Sequence, residues 1–281
     1  MHPAILASII VIGSLCLLAI LALLLRRFLL APGKRNAEME RYIGVRYAHR
    51  GLHDNVRAEN SLSAFAAAKA AGYGIELDVR LCADGDLVVF HDATLNRVCG
   101  TDGKVIEKTK KELKELSLCG STEGVPSLRE VLELIDGAVP LLIEVKQDAG
   151  ESGIAERLVE ELRGYRGEYI VESFNPYALR TVRNLRPDIL RGILSMDYTH
   201  GKTKKVKLLY KLLGSLWFNF MMRPDFIAYE KTGYANKNLR YIRRKFNTPL
   251  IAWTVKSEEE EIRVLGDGFD TVIFEDYLSG K

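Results

Sequence analysis

The chain has 281 residues, of which 27% are charged, and a net charge of only +3. Its four cysteines form no Cys-x-x-Cys pair, which excludes a zinc site of the usual cysteine spacing and argues against a disulfide framework. The basic stretches contain no recognisable nucleic-acid-reading motif, so we expect no nucleic-acid partner.

The amino-terminal segment is long and apolar. Residues 4–25 contain no charged residue, and Arg26 and Arg27 follow directly. A helix of this length crosses a bilayer, so the segment predicts a transmembrane helix. No lysine or arginine precedes it, and the positive-inside rule then places the chain in the cell membrane, single-pass, with the remainder in the cytoplasm. A cleaved signal peptide would need a basic start and a small-residue cleavage site. Residues 26–43 are predicted as a juxtamembrane linker.

Residues 44–281 are long enough for one large domain, in which strand and helix patterns alternate. Strand candidates lie at 45–49, 74–79, 87–91, 141–146, 169–173, 190–194, 226–229, 250–255 and 271–274. The alternation predicts a parallel sheet of the α/β class, closed as a (β/α)8 barrel. Nine candidates compete for eight barrel positions. The link at 79–87 is too short for a crossover helix, and its Asp84-Gly85 turn is equally consistent with a hairpin, so which strand is surplus stays open.

Four consecutive strand candidates carry polar residues at their carboxyl ends, where a (β/α)8 barrel places its active site. These residues are His49, Arg50, Glu76, Asp78, His91, Glu144 and Lys146. Glu76 and Asp78 point to the same face because side chains alternate along a strand. Such neighbouring carboxylates repel each other unless a hard divalent cation such as Mg²⁺ or Ca²⁺ binds them. The alternative is a surface acid pair balanced by lysines, and the nearby histidines favour the metal site.

Several segments together resemble the glycerophosphodiester phosphodiesterase family between about residues 44 and 278. In chain order they are His49-Arg50-Gly51, Ala58-Glu59-Asn60-Ser61, Glu76-Leu77-Asp78-Val79, His91-Asp92-Ala93-Thr94-Leu95-Asn96-Arg97, Ile143-Glu144-Val145-Lys146, Ser173-Phe174 and Trp253-Thr254-Val255. The resemblance implies a TIM barrel of the phospholipase-C-like phosphodiesterase type. It also implies hydrolysis of a glycerophosphodiester to glycerol 3-phosphate and an alcohol.

The resemblance further implies a role for each matching residue. Glu76, Asp78 and Glu144 match the ligands of a divalent metal, Mg²⁺ or Ca²⁺. His49 and His91 match the general acid and base, and Arg50 and Lys146 match the cations that face the substrate phosphate. Glu59 and Trp253 are expected to support the site. Whether water or a substrate hydroxyl attacks the phosphorus is left open.

The chain departs from the family pattern at a few positions. Val98-Cys99 replaces a pair of threonines, Lys256 replaces an asparagine, and Glu275 lies near an expected aspartate. None of these changes removes a predicted metal ligand or histidine. They therefore affect the expected alcohol side of the substrate rather than the chemistry.

Two basic stretches raise the question of a lipid surface. Residues 202–223 contain six basic residues, no acid and many leucines and aromatics, and residues 231–256 are also basic without an acid. Two interpretations remain open. The stretches contact an anionic bilayer, and residues 206–222 then bring the barrel mouth near lipid, or they form an ordinary barrel helix with solvated lysines. Alternative functions are therefore a lysophospholipase D acting on membrane lysophospholipids, or a membrane-tethered binding protein that has lost catalysis.

Overall fold

The computed structural model describes residues 3–148, 150–199 and 204–280, with the backbone alone for 204–207. Within them, nine strands form one sheet: β1 (Arg46–Ala48), β2 (Gly74–Leu81), β3 (Leu87–Val89), β4 (Leu141–Val145), β5 (Tyr169–Ser173), β6 (Arg191–Ser195), β7 (Phe226–Glu230), β8 (Leu250–Val255) and β9 (Thr271–Phe274). The order β1-β9-β8-β7-β6-β5-β4-β2 is parallel throughout, and β1 also pairs with β2. This closure confirms the predicted TIM barrel.

The surplus strand is β3. It pairs antiparallel with β2 through the turn at Asp84-Gly85, where Gly85 has a φ of +77° that favours glycine. The hairpin interpretation is thus confirmed. The sequence predicted a strand over 87–91 with His91 at its end, whereas β3 ends at Val89 and runs back toward the start of β2. The amide of Phe90 donates to the carbonyl of Asp78 at 2.9 Å, and this return brings His91 beside the acids of β2.

Twelve α-helices lie within the described residues. They are α1 (Pro3–Leu30), α2 (Asn36–Met39), α3 (Leu62–Ala71), α4 (Asn96–Cys99), α5 (Lys110–Lys114), α6 (Leu128–Ile135), α7 (Ile154–Glu161), α8 (Pro176–Leu185), α9 (Lys204–Gly214), α10 (Asn219–Met222), α11 (Lys237–Phe246) and α12 (Glu258–Asp267). Short polar side chains cap many of their first turns. Ser127, for example, accepts from the amide of Glu130, whose carboxylate in turn accepts from the amide of Ser127, so both free amides are satisfied.

Three apolar clusters hold the fold together. One fills the barrel interior around Tyr47, Leu142 and Phe226, and a larger one lies between the barrel and its helices. The strands read as nearly continuous apolar runs because both of their faces are buried. The third cluster joins Ala58 to apolar side chains of residues 82–125, the segment that follows β2 and contains β3. It forms a small core under the segment that carries His91 and Arg97.

Helix α1 is the one helix among the described residues that is long and apolar enough to cross a membrane. An 18-residue window has a mean hydropathy of 2.9, and none of it is buried. The helix continues past the apolar segment to Leu30, whose side chain is fully buried against the barrel. Length and composition therefore make α1 a candidate transmembrane helix. Part of the segment 26–43 is helical and packed, and it includes the buried Met39 and Tyr42.

Candidate active site

The predicted site residues meet at the carboxyl ends of the barrel strands. A cavity of about 100 Å³ opens there. Its lining consists of His49, Arg50, Glu76, His91, Glu144, Lys146, Glu172, Phe174, Leu194, Trp253, Thr254 and Ile273. The structure thus brings together most of the residues that the sequence singled out.

Three carboxylates converge at the base of this site. Glu76, Asp78 and Glu144 are all buried, and each offers one oxygen within 4.8 Å of the other two. Strand register explains the arrangement, because Asp78 and Glu144 are direct neighbours on β2 and β4, and Glu76 points to the same face of β2. A cluster of three carboxylate oxygens is the donor set that a hard divalent cation takes. The residues therefore fit a metal ion, and these three would hold it.

Burial and mutual repulsion perturb these acids strongly. Burial, with Asp78 and Glu144 nearby, raises the pKa of Glu76 well above its ordinary value, and burial raises the pKa of Glu144 to about 7 despite Lys146. Burial also opposes ionisation of Asp78, but Lys146 and Arg50 outweigh it and hold the pKa of that carboxyl below its usual range. The cluster therefore carries more acid than its own cations neutralise.

Two cations stand beside the acid cluster. The Lys146 Nζ lies 2.8 Å from Glu144 Oε1 and 3.1 Å from Asp78 Oδ1. The backbone amide of Arg50 donates to Glu76 Oε2 at 2.9 Å, and its guanidinium donates to Glu59 at 2.8 Å. Arg50 has a φ of +55°, a conformation that few non-glycine residues adopt.

Gly51 makes the turn after Arg50 possible. It has a φ of +80°, and a Cβ there would lie 2.9 Å from the backbone of Ala64 and from the Phe65 ring. Only glycine fits both the conformation and the close approach of α3.

Each histidine of the site has its Nδ1 against a carboxylate. The His49 Nδ1 lies 2.9 Å from Glu275 Oε2, and the His91 Nδ1 lies 2.6 Å from Asp92 Oδ1. With Nδ1 engaged, Nε2 is the ring nitrogen left for other partners. Burial lowers the pKa of both histidines, and the adjacent acids oppose that effect. The hydrogen bond from His49 lowers the pKa of Glu275 to about 2, so this carboxylate is ionised.

An arginine network connects the two sides of the site. The Arg97 guanidinium donates to both oxygens of Glu59 at 2.7 Å and to Asp92 at 2.6 Å. Glu59 therefore lies between Arg50 and Arg97 and outside the cavity lining. Trp253 does line the cavity, where its ring packs edge-on against Phe174 at a centroid distance of 5.5 Å and forms an apolar wall.

Four residues that support the site had no role assigned from the sequence: Asn60, Asp92 and Glu275, which were noted only as positions in the family pattern, and Glu172, which was missed. Asn60 donates to Asp78 Oδ2 at 2.8 Å, and Asp92 and Glu275 each hold a histidine. Glu172 pairs with Glu144 in the β4–β5 register, and its pKa is raised well above the ordinary value by burial and by Glu144 and Glu76. Glu172 could have been predicted from the sequence, because it is a charged residue inside the apolar run of β5, as Glu76 and Asp78 are in β2 and Glu144 is in β4.

Comparison with known proteins places this geometry in a family. The sequence model of the glycerophosphoryl diester phosphodiesterase family matches residues 49–278. A glycerophosphodiester phosphodiesterase of Caldanaerobacter subterraneus subsp. tengcongensis is 33% identical over 246 residues, which cover 82% of this chain and 93% of the relative.

Solved structures agree in fold. A glycerophosphodiester phosphodiesterase from Thermotoga maritima is 29% identical with a TM-score of 0.63, over 83% of this chain and 95% of that one. An Oleispira antarctica phosphodiesterase in complex with the product sn-glycerol-3-phosphate has the same fold, with a TM-score of 0.70 at 24% identity over 84% of this chain and 94% of that one. The chain belongs to the glycerophosphoryl diester phosphodiesterase family and is a phosphoric diester hydrolase.

Proposed function

We propose that this protein is a membrane-anchored, divalent-metal-dependent enzyme that hydrolyses glycerophosphodiesters to glycerol 3-phosphate and an alcohol. The observation that carries the proposal is one site in which a cluster of three buried carboxylates lies beside two cations and two carboxylate-paired histidines. A phosphodiester needs all three groups, because its oxygens gain negative charge in the transition state while one proton must leave and another must arrive.

In this mechanism Glu76, Asp78 and Glu144 would hold a divalent cation, Mg²⁺ or Ca²⁺. When bound, that cation would supply Lewis-acid stabilisation of the phosphate oxygens. Arg50 and Lys146 contribute fixed positive charge on the same side of the cavity, which orients the phosphate without any proton transfer.

His49 and His91 are the proton-transfer pair. Glu275 and Asp92 each hold Nδ1, so both imidazoles present Nε2, which accepts a proton when the ring is neutral and donates one when the ring is charged. One histidine takes the proton of the nucleophile, whether that is water or a substrate hydroxyl, and the other protonates the leaving alkoxide. Glu59 supports the site by holding Arg50 and Arg97, and Trp253 forms the wall that contacts the substrate.

The proposal includes an arrangement in the cell. Residues 4–25 cross the cell membrane once, residues 26–43 link this helix to the barrel, and residues 44–281 form the catalytic barrel in the cytoplasm. The positive charges of Arg26 and Arg27 favour this orientation. The substrate is a small glycerophosphodiester, and the partner of the anchor is the lipid bilayer.

Product formation by the purified full-length protein tests this function. Glycerophosphocholine, glycerophosphoethanolamine, glycerophosphoglycerol and lysophospholipids are incubated with Mg²⁺, Ca²⁺ or EDTA, alongside His49→Ala and Glu76→Ala. We expect glycerol 3-phosphate that requires metal and disappears in both variants. Lysophosphatidate from the lipids alone would replace the proposal with a lysophospholipase D. A folded protein without turnover under any metal would replace it with a binding protein.

A further inference from the structure

Helix α11 carries a concentrated positive surface away from the active site. An open groove of about 360 Å³ is lined by Lys237, Arg240, Tyr241, Arg244 and Lys245. Residues three and four apart lie on one side of a helix, so the cations at 237, 240 and 244 share a face. The opposite face, with Leu239 and Ile242, is buried against the barrel.

In the described part of the chain, no carboxylate oxygen lies within 4.0 Å of the charged nitrogens of Lys237, Arg240, Arg244 or Lys245. Their neighbour Arg243, by contrast, pairs with Asp270 at 2.6 Å. Adjacent like charges repel each other, and an anion in the groove would remove that repulsion.

The groove also lies next to the end of the apolar segment. The Arg26 guanidinium stacks over the Tyr241 ring at 4.1 Å and donates to Asn238 Oδ1 at 3.1 Å. Arg27 lies over the Phe246 ring at 5.8 Å. Both arginines directly follow residues 4–25, so they mark the depth at which the apolar segment ends. Helix α11 therefore lies at the level of lipid headgroups when α1 spans a bilayer.

The attachment between α1 and the barrel fixes this level. Leu30 is fully buried, Asn219 Nδ2 donates to the carbonyl of Leu30 at 3.3 Å, and Arg223 donates to the carbonyls of Phe28 and Ala31 at 3.0 Å. The end of α1 is thus held by buried and charged contacts rather than by a free tether. The groove on α11 cannot move far from the membrane surface without breaking them.

From this juxtaposition we propose that the α11 groove, with Arg26, binds the headgroup phosphate of an anionic phospholipid. The inference rests on the proposed membrane crossing of α1. Phosphate oxygens match the arginine and lysine donors, and an anionic leaflet attracts such a cluster more strongly than a zwitterionic one. Tyr241 lies between the cations and offers an amphipathic ring of the kind that favours the interface.

Lipid retention by the full-length protein tests the site. Protein in detergent is titrated with phosphatidylglycerol or with phosphatidylcholine of the same acyl chains, and bound lipid is counted by native mass spectrometry. The test variant is Lys237→Gln/Arg244→Gln/Lys245→Gln. The matched control, Lys111→Gln/Arg129→Gln/Arg166→Gln, removes three exposed cations from other parts of the barrel. Circular dichroism and the thermal midpoint report that each variant is folded.

We expect the wild type and the control to retain phosphatidylglycerol over phosphatidylcholine, and the test variant to lose affinity for phosphatidylglycerol by at least about tenfold. Equal retention of the two lipids, or an equal loss in both variants, would overturn the proposal. Displacement of the lipid by inorganic phosphate alone would overturn it in favour of a free-phosphate site.

Two measurements on the wild type separate this inference from the proposed function. Alkaline carbonate extraction reports whether α1 spans the membrane, and hydrolysis of soluble glycerophosphocholine reports the active site. A chain that resists extraction and hydrolyses substrate, but shows no preference for anionic lipid, refutes the α11 site alone. A chain that carbonate releases refutes both the anchor and the lipid site.

Discussion

Replacing Glu275 tests whether the carboxylate beside His49 contributes to the reaction. Its Oε2 lies 2.9 Å from His49 Nδ1, and its side chain is outside the cavity lining. Glu275 holds His49, which lines the cavity, so we expect it to act on the substrate through that ring. We expect Glu275→Gln to lower kcat and to leave KM nearly unchanged, because substrate binding does not involve this side chain.

The size of the effect follows from the hydrogen bond. A hydrogen bond to a charged group contributes about 1.5–3 kcal/mol, which corresponds to about ten- to a hundredfold in rate. Glutamine keeps an oxygen that can accept from Nδ1–H and loses only the charge, so we expect Glu275→Gln to lower kcat about tenfold. Glu275→Ala loses both the hydrogen bond and the charge and should lower kcat about a hundredfold.

The pH profile supplies a second readout. Burial lowers the pKa of His49, and Glu275 opposes this by stabilising the imidazolium. Without the carboxylate, the charged ring is less stable and gives up its proton at a lower pH. The limb of the kcat profile that reports His49 should therefore move toward acid in Glu275→Gln.

Asp276→Asn is the matched control for this experiment. Asp276 is the next residue, is exposed, and pairs with Lys256 at 2.9 Å, while Lys256 also lies 3.6 Å from Glu275. The control makes the same carboxylate-to-amide change without touching His49. If Glu275→Gln keeps wild-type kcat and an unshifted profile while His49→Ala is inactive, the positioning role of Glu275 is wrong.

Three further predictions concern the metal, the acid stability and the barrel core. Mg²⁺ or Ca²⁺ should raise the thermal midpoint of the wild type by relieving carboxylate repulsion, and an equal rise in Asp78→Asn would contradict the metal site. Burial opposes ionisation of Glu261, but three hydrogen bonds outweigh burial and lower the pKa of this carboxyl. The ionised Glu261 therefore stabilises the fold fully above the ordinary pKa of 4.5, and this stabilisation is lost as the pH falls through the lowered pKa. Glu261→Gln should therefore lower the unfolding free energy by about 1.5–3 kcal/mol at pH 7. In denaturant titrations at several pH values, the unfolding free energy of this variant should fall less steeply in acid than that of the wild type, and an equally steep fall would contradict the prediction. Gly192→Ala should cost about 1–3 kcal/mol in urea unfolding, because its Cβ would meet the Phe226 ring at 2.1 Å, whereas Gly266→Ala, with open space around it, should cost nothing.

The strands that carry the acid cluster were predictable because of how a parallel barrel buries them. Both faces of β2 and β4 are covered, so their sequences are apolar except at the buried polar residues Glu76, Asp78, Arg80 and Glu144. Alternation along the strand then fixed which side chains share a face. The sequence could not distinguish β3 from a barrel strand, because an apolar run of this length looks the same in a hairpin and in a barrel. Only the pairing of β1 with β2 and of β2 with β4 decides it.

The supporting residues depended on contacts between distant strands. Glu275 follows β9, and it meets His49 because β9 and β1 are neighbours that close the barrel. Asp92 lies next to His91 in the sequence, yet its role depends on Arg97 holding it toward the ring. A pattern within one strand predicts the direction of a side chain, and its partner on another strand follows only from the order in which the strands pair.

The charges in the barrel mouth favour a divalent cation over an additional lysine at the proposed metal site. Four buried acids, Glu76, Asp78, Glu144 and Glu172, face the two cations Arg50 and Lys146. Both cations lie against Asp78, and its pKa alone among the four is lowered, whereas burial raises the others. Burial therefore drives Glu76, Glu144 and Glu172 toward their uncharged forms, and a bound divalent cation would favour their ionised forms. A third lysine would have to bury a long side chain there, while a compact ion with two charges needs only the oxygens already in place.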